Sequence, residues 1–287
     1  MADAELQEII EGRFPRLMAA GLDYNDAQSV LAKVSSMDEW MPVWEELAEG
    51  HEALGDAALA EGHALTAGEA FVRAALYFHI GQSVSFSDPE EKARFQTRQR
   101  AAYAKAAPHL AIPAQVIDIR FDGDSFPANL RVPDTDRPPP CVMITCGGDS
   151  TKEEFHTLEN EFLKRGVATC AYDGPGQSLT QRKWRIRPDW EVPAGAVIDA
   201  LQARPEIDGD RIGIWGRSFG GYAAPRAAVD PRIKACVSIG GFHSMAGFWD
   251  RMPFAVQDTL RFAFGDDTVE EAAETAKLYT LDGVLGR

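Results

Sequence analysis

Ser218 stands in Gly216-Arg217-Ser218-Phe219-Gly220, directly after a short apolar run at 211–215 and directly before a helical run at 222–229. A strand that turns into a helix within so few residues, with serine at the apex, pushes the hydroxyl out above the end of a sheet, the arrangement called a nucleophile elbow. A side chain at 216 or 220 would collide with the neighbouring strand and helix in so tight a turn, so glycine is expected at both positions. The five-residue spacing alone is weak. The flanking strand and helix make it specific.

The same alternation extends on either side. In 115–121 the apolar Ile117, Ile119 and Phe121 alternate with Asp118 and Arg120, the period-two pattern of a half-buried strand. A second strand is expected at 129–132, and the proline-rich stretch 133–140 reads as a turn-forming loop. Continuous apolar strands are then expected at 141–146, 167–172, 211–215 and 233–239. Helices separate them at 152–165, 194–203 and 222–229. Buried apolar strands alternating with helices imply a parallel sheet covered on both faces. Residues 241–287 read as a loop, helices at 253–264 and 268–279, and an approach to a strand at 281–285.

Residues 1–112 have a different texture. One helix runs from Asp38 to Ala60. A second is capped by Thr66, with Glu69 at the capping-box position, and continues through Phe78. A third spans 89–107. The first two resemble a single tetratricopeptide-type hairpin, with small residues where the helices approach closely. A lone hairpin is not an array, because stacked repeats bury their faces only against one another. The expected organisation is a helical cap or accessory domain over 1–112 and an α/β core over 113–287.

The net charge of −15 gives no basic footprint for a nucleic-acid backbone, and no apolar run reaches membrane-spanning length. Met1-Ala2-Asp3-Ala4-Glu5 lacks the basic and apolar regions of a secretory signal, so a cytoplasmic location is expected. Cys141, Cys146, Cys170 and Cys236 all fall in apolar segments and read as buried reduced thiols, with no metal site implied. Gly-Lys-Ser/Thr never follows a glycine-rich stretch, so no phosphate loop is present and no cofactor is expected.

A serine hydroxyl is a weak nucleophile until a base takes its proton, so Ser218 is half of a catalytic proposal. Gly147-Gly148-Asp149-Ser150 ends the strand at 141–146. In α/β-hydrolases the loop after this strand supplies one oxyanion-hole N–H, and the residue after the nucleophile supplies the other. Those donors would be Gly148 or Asp149, with Phe219. The plainer reading, a βα turn with Ser150 as helix N-cap, is compatible with that role. Asp173-Gly174-Pro175-Gly176-Gln177 follows the next strand, and Asp173 is assigned a structural role in a loop at the rim of the site.

The histidines fit less well. His51, His63, His79 and His109 lie in the helical region, and His156 lies on the helix after the oxyanion loop. Only His243 follows Ser218. It comes directly after the strand at 233–239, too early for a fold that supplies serine, acid and histidine in that chain order. Asp250 is an acid in an alternative position, with no histidine after it. On this reading the triad acid and histidine are not in the chain, and the C-terminal strands and helices of the sheet are expected to be missing.

Gly147 to Glu154, Tyr172-Asp173-Gly174-Pro175-Gly176-Gln177, Asp208 to Ala227 and Cys236-Val237-Ser238-Ile239-Gly240-Gly241-Phe242 resemble the FrsA-like α/β-hydrolases. That group includes 2,6-dihydroxypseudooxynicotine hydrolase and the fungal yellowish-green-type polyketide-shortening hydrolases. The segment from Asp38 through Tyr77-Phe78-His79 is similar to their helical cap region, so the resemblance covers nearly the whole chain. It implies an intracellular hydrolase with a helical N-terminal domain over the site, cleaving esters or carbon–carbon bonds next to a ketone through serine. It further implies a small-molecule substrate, an aromatic ketone or ester, and a homodimer. Ser218 carries over as nucleophile, with Phe219 and Gly148 or Asp149 as oxyanion donors. The nicotine-pathway member's additional glutamate in the loop after Gly-Gly-Phe has no counterpart in Phe248-Trp249-Asp250-Arg251-Met252-Pro253, which argues against that particular substrate.

Two functional classes therefore stand at the level of sequence. The first is a serine hydrolase seen as an N-terminal portion. The second is a non-catalytic binding or scaffold relative, and a weaker third option is acyl transfer from the same serine. The strand at 233–239 would present an unpaired inner edge in the second case, which favours the first.

Overall fold

The computed structural model describes residues 4–84 and 88–284. Two compact units emerge: Met1–Ala114 with Glu153–Asn160, and Gln115–Lys152 with Glu161–Arg287.

The first unit is helical: α1 (Ala4–Ala20), α2 (Tyr24–Leu31), α3 (Met37–Ala60), α4 (Ala64–Ser83) and α5 (Pro89–Ala106). Its core holds Trp40, Trp44, Phe71, Tyr77, Phe78 and Phe95, all buried. The expected close approaches occur where the small residues stand. A β-carbon on Gly55 would fall 2.5 Å from the Phe71 ring, and one on Gly81 would fall 2.8 Å from Phe95. Helix α4 starts at Ala64, not at a cap on Thr66. The reason is the turn before it: Gly62, at φ 83°, donates to Leu59 O while His63 donates to Ala58 O. This Schellman closure ends α3 and leads straight into the next helix. The cap on α5 is Asp88, which accepts the N–H groups of Glu90 and Glu91.

The second unit is a six-stranded sheet with helices. Its strands are β1 (Ala114–Phe121), β2 (Asp124–Arg131), β3 (Cys141–Thr145), β4 (Ala168–Tyr172), β5 (Ile212–Arg217) and β6 (Ile233–Ile239). They lie in the order β1-β2-β4-β3-β5-β6. Strands β3, β4, β5 and β6 pair in parallel, and β2 pairs antiparallel with β4. The sheet is thus mixed, with its parallel part where the continuous apolar runs fall. Every residue of β3 and β4 is buried. Strands β1 and β2 are joined by Asp122-Gly123, both at positive φ (48° and 77°), the condition of a type I′ hairpin turn.

The helices of this unit are α6 (His156–Leu163, most of which groups with the helical unit), α7 (Glu191–Gln202), α8 (Phe219–Ala227), α9 (Phe254–Phe264) and α10 (Val269–Ala276). Thr268 caps α10 in a capping box with Glu271. Residues 281–284 form no strand; a single antiparallel bridge joins Ser244 to Thr280, and 285 lies outside the described residues. Cys141, Cys146 and Cys170 are buried, but Cys236 is exposed. The expectation of a buried Cys236 fails because β6 is the edge strand of the described sheet, exposed at every residue beyond Ile233. Among the described residues no helix is long and apolar enough to cross a membrane.

From β3 the chain crosses to β4 on one side, and β5 returns on the other side of β3. The loops after β3 and β5 therefore diverge at a topological switch point, where open α/β sheets form their binding crevice.

Candidate active site

Strand β5 ends at Arg217 and α8 begins at Phe219, so Ser218 is the whole turn. Its backbone sits at φ 59° and ψ −122°, a conformation that costs a non-glycine residue on the order of 1–3 kcal/mol. The surroundings hold it there. Ser218 N–H donates to Ile239 O at 2.9 Å, and Ser218 O accepts from Gly221 N–H at 2.8 Å. The side chain is exposed.

Glycine is required at both sequence-expected positions. A β-carbon on Gly216 would fall 1.9 Å from Gly220 O, and one on Gly220 would fall 2.4 Å from Thr145 O. Two further glycines do the same work and went unread in the sequence. A β-carbon on Gly221 would fall 2.6 Å from Ile239 O, and one on Gly241 would fall 2.3 Å from Gly221 O. The Gly-Gly pair after β6 was the available signal.

Aromatic packing anchors the start of α8. The Phe219 ring meets Trp190 edge-on at 5.3 Å and Tyr279 at 5.9 Å, while Tyr222 stacks on Phe242 at 4.8 Å. The Tyr222 hydroxyl donates to Pro188 O at 2.6 Å. Burial pushes its pKa up to about 12, and burial raises those of Tyr172 and Tyr279 as well.

The loop Gly147–Ser150 lies beside the serine turn: a β-carbon on Gly147 would fall 3.4 Å from Arg217 O. Gly148 and Asp149 are half-buried. Helix α9 borders this loop, with Thr259 and Leu260 at 3.6 and 3.7 Å from where a Gly148 β-carbon would stand. As the first helical residue, Phe219 has an N–H with no acceptor inside α8, and neither it nor Gly148 N–H is taken by another described residue. The positive end of the α8 dipole points the same way. Serine, Phe219 and the Gly147–Ser150 loop are therefore brought together by the ends of β3 and β5.

Asp173 is buried. It accepts Lys152 N–H at 2.8 Å and pairs with Lys152 Nζ at 3.0 Å. The cap on the turn after the Gly147–Ser150 loop is thus supplied by Asp173. His243 forms a 2.8 Å contact from Nε2 to Asp282 Oδ1, with both side chains largely exposed. No hydrogen bond joins His243 to Ser218 among the described residues. Asp250 is exposed. Among the described residues no group of three or more His, Cys, Asp or Glu is arranged to hold a metal ion.

The strand order and the strained serine turn at the carboxyl end of β5 define an α/β-hydrolase. Within that class the chain belongs to the esterase FrsA-like family, whose model matches residues 34–286. It is 37% identical over 258 residues to 2,6-dihydropseudooxynicotine hydrolase of Paenarthrobacter nicotinovorans, covering 90% of this chain and 69% of that protein. It is 34% identical over 261 residues to the α/β hydrolase xenA of Xenoacremonium sinensis, covering 85% of this chain and 60% of that one. The crystal structure of 2,6-dihydroxy-pseudo-oxynicotine hydrolase superposes with a TM-score of 0.88 at 35% identity, over 95% of this chain and 77% of that one. The chain thus spans between about half and three quarters of the length of the relatives it matches.

Proposed function

We propose that Ser218 is the nucleophile of a hydrolase acting on a small carbonyl compound, either an ester or a carbon–carbon bond next to a ketone. Ser218 Oγ attacks the carbonyl carbon, and its proton passes to a base that is not assigned to a residue of this chain. The N–H groups of Phe219 and of Gly148 or Asp149 receive the resulting oxyanion. Collapse breaks the bond to the leaving group, an alkoxide or a stabilised carbanion, which takes up a proton. Water then cleaves the acyl-serine ester. The supporting observation is the Ser218 backbone, held at φ 59° by Ile239 and Gly221 beside a loop with an untaken N–H.

The bacterial relative is named for the hydrolysis of 2,6-dihydroxy-pseudo-oxynicotine and the family is described as esterase-like, which supports a small carbonyl substrate here. A cytoplasmic location, a homodimeric assembly and a helical cap over 1–112 belong to the same reading and rest on the family resemblance.

Labelling with a fluorophosphonate probe, mapped by peptide mass spectrometry, tests it. One adduct is expected on Ser218, absent from Ser218→Ala and retained in His243→Ala. An adduct elsewhere, or one that survives Ser218→Ala, would overturn this reading.

A further inference from the structure

The loop after β4 contains a glutamine that the proposed chemistry does not use. Gln177 is fully buried. Its Oε1 accepts Gly174 N–H at 2.9 Å, and its Nε2 donates to Cys146 O at 2.8 Å and Gly147 O at 3.2 Å. Only this orientation of the carboxamide fits, because a flipped amide would face oxygen to two carbonyls and nitrogen to an N–H.

The loop that holds Gln177 is itself fixed. Gly176 sits at φ 79°, where a β-carbon would fall 1.9 Å from Ile186 N, and a β-carbon on Gly174 would fall 2.6 Å from the Trp190 ring. Thr180 Oγ1 accepts Gln177 N–H at 2.9 Å and lies 2.7 Å from Gly174 O.

The consequence follows from peptide planarity. In a trans peptide the C=O of one residue and the N–H of the next point in opposite directions. Holding Gly147 O towards Gln177 therefore turns Gly148 N–H away from Gln177. That N–H is the one no other described residue takes. A glycine–glycine segment has no side chain to fix its peptide planes, so without an outside partner the plane between Gly147 and Gly148 is free to flip. At the other end of the loop, Asp173 holds Lys152 through its backbone N–H and its ammonium group, in a pair 2% and 3% exposed. The β4 loop thus grips the 146–152 segment at both ends.

We propose that Gln177 is a positioning residue: it orients the Gly148 N–H as an oxyanion donor, with the Asp173–Lys152 pair anchoring the far end of the loop. This rests on the reading of Ser218 and the Gly147–Ser150 loop given above, and commits it to Gly148 over Asp149.

The test separates attack through an oxyanion from attack without one. A Ser218→Cys protein places a thiol at the turn. Its sulfur can displace iodide from iodoacetamide with no oxyanion formed. It can also take the acetyl group of p-nitrophenyl acetate through a tetrahedral oxyanion, giving a thioester and p-nitrophenolate. In this background Gln177→Glu and Gln177→Met are expected to slow thioester formation at least about tenfold, given that one oxyanion donor is worth about 10²–10³. Alkylation by iodoacetamide is expected to change less than about twofold.

Equal losses in both reactions would show a merely structural role and overturn the inference, as would no loss in either. If Gln177→Met does not fold, Gln177→Glu, nearly identical in size, carries the comparison, and Asp173→Asn provides a third variant with the same expected split. If the Ser218→Cys parent is acetylated no faster than a free thiol, the reading of Ser218 itself fails, a result visible before any Gln177 variant is made.

Discussion

Gly220 packs so closely against Thr145 that a β-carbon on it would fall 2.4 Å from the Thr145 carbonyl oxygen. The contact joins the first turn of α8 to the end of β3, and the obstructing atom is backbone, which has little room to give way. Gly220→Ala is therefore expected to cost about 3 kcal/mol, at the upper end of the range for overpacking. Gly50 is the matching control, a glycine inside α3 with nothing within 4 Å of an added β-carbon. Gly50→Ala is expected to stabilise by about 0.5–1 kcal/mol through helix propensity. Urea denaturation midpoints for the two variants should move in opposite directions, and a shift of the same sign would refute the packing argument.

Glu154 is fully buried in the helical unit, where Arg16 Nε and a terminal nitrogen donate to its two oxygens at 3.0 and 3.1 Å and His79 Nε2 lies 3.3 Å away. Removing one member of such a pair leaves a charge in a dry environment. Arg16→Met is expected to cost about 3 kcal/mol, and adding Glu154→Gln should recover part of that loss. A double-mutant cycle by equilibrium unfolding measures the coupling. Additive losses would mean that the pair contributes nothing beyond its separate side chains.

Tyr222 illustrates the pH response of the sheet unit. Burial disfavours its phenolate and pushes its pKa up to about 12, against about 10 for an unfolded tyrosine. The folded state therefore holds a proton that the unfolded chain releases between those values. This contribution is fully present below pH ~10 and is lost as pH rises towards ~12. Tyr172 and Tyr279, both raised by burial, act with the same sign. Absorbance at 295 nm should show these phenols ionising late and together with loss of structure. Ionisation at ordinary pH without unfolding would contradict their packing.

Several parts of this arrangement were legible because they are written in neighbouring residues. The continuous apolar runs marked β3 and β4 as buried. The spacing around Ser218 marked the serine turn, and the helix expected from 268 begins there as α10. Thr66 misled for a local reason as well: it has a capping sequence, but the Schellman closure at Gly62 had already begun the helix. Cys236 misled for a non-local one. Its segment is as apolar as a buried strand, yet burial depends on place in the sheet, and β6 is the edge strand of the described sheet, exposed beyond Ile233.

The sequence by itself determined the strand–serine–helix turn, the glycines at 216 and 220 and the alternation that builds the sheet. All of these depend on residues a few positions apart, within reach of backbone sterics and side-chain periodicity. Tertiary structure decided which distant segments meet. It set Gly221 against Ile239 and Gly241, Asp173 on Lys152, and Gln177 on the carbonyls of Cys146 and Gly147 some thirty residues earlier. No local pattern specifies such contacts, because they come from strand order. Parallel β3 and β4 end side by side, and only then can the loop after one hold the loop after the other.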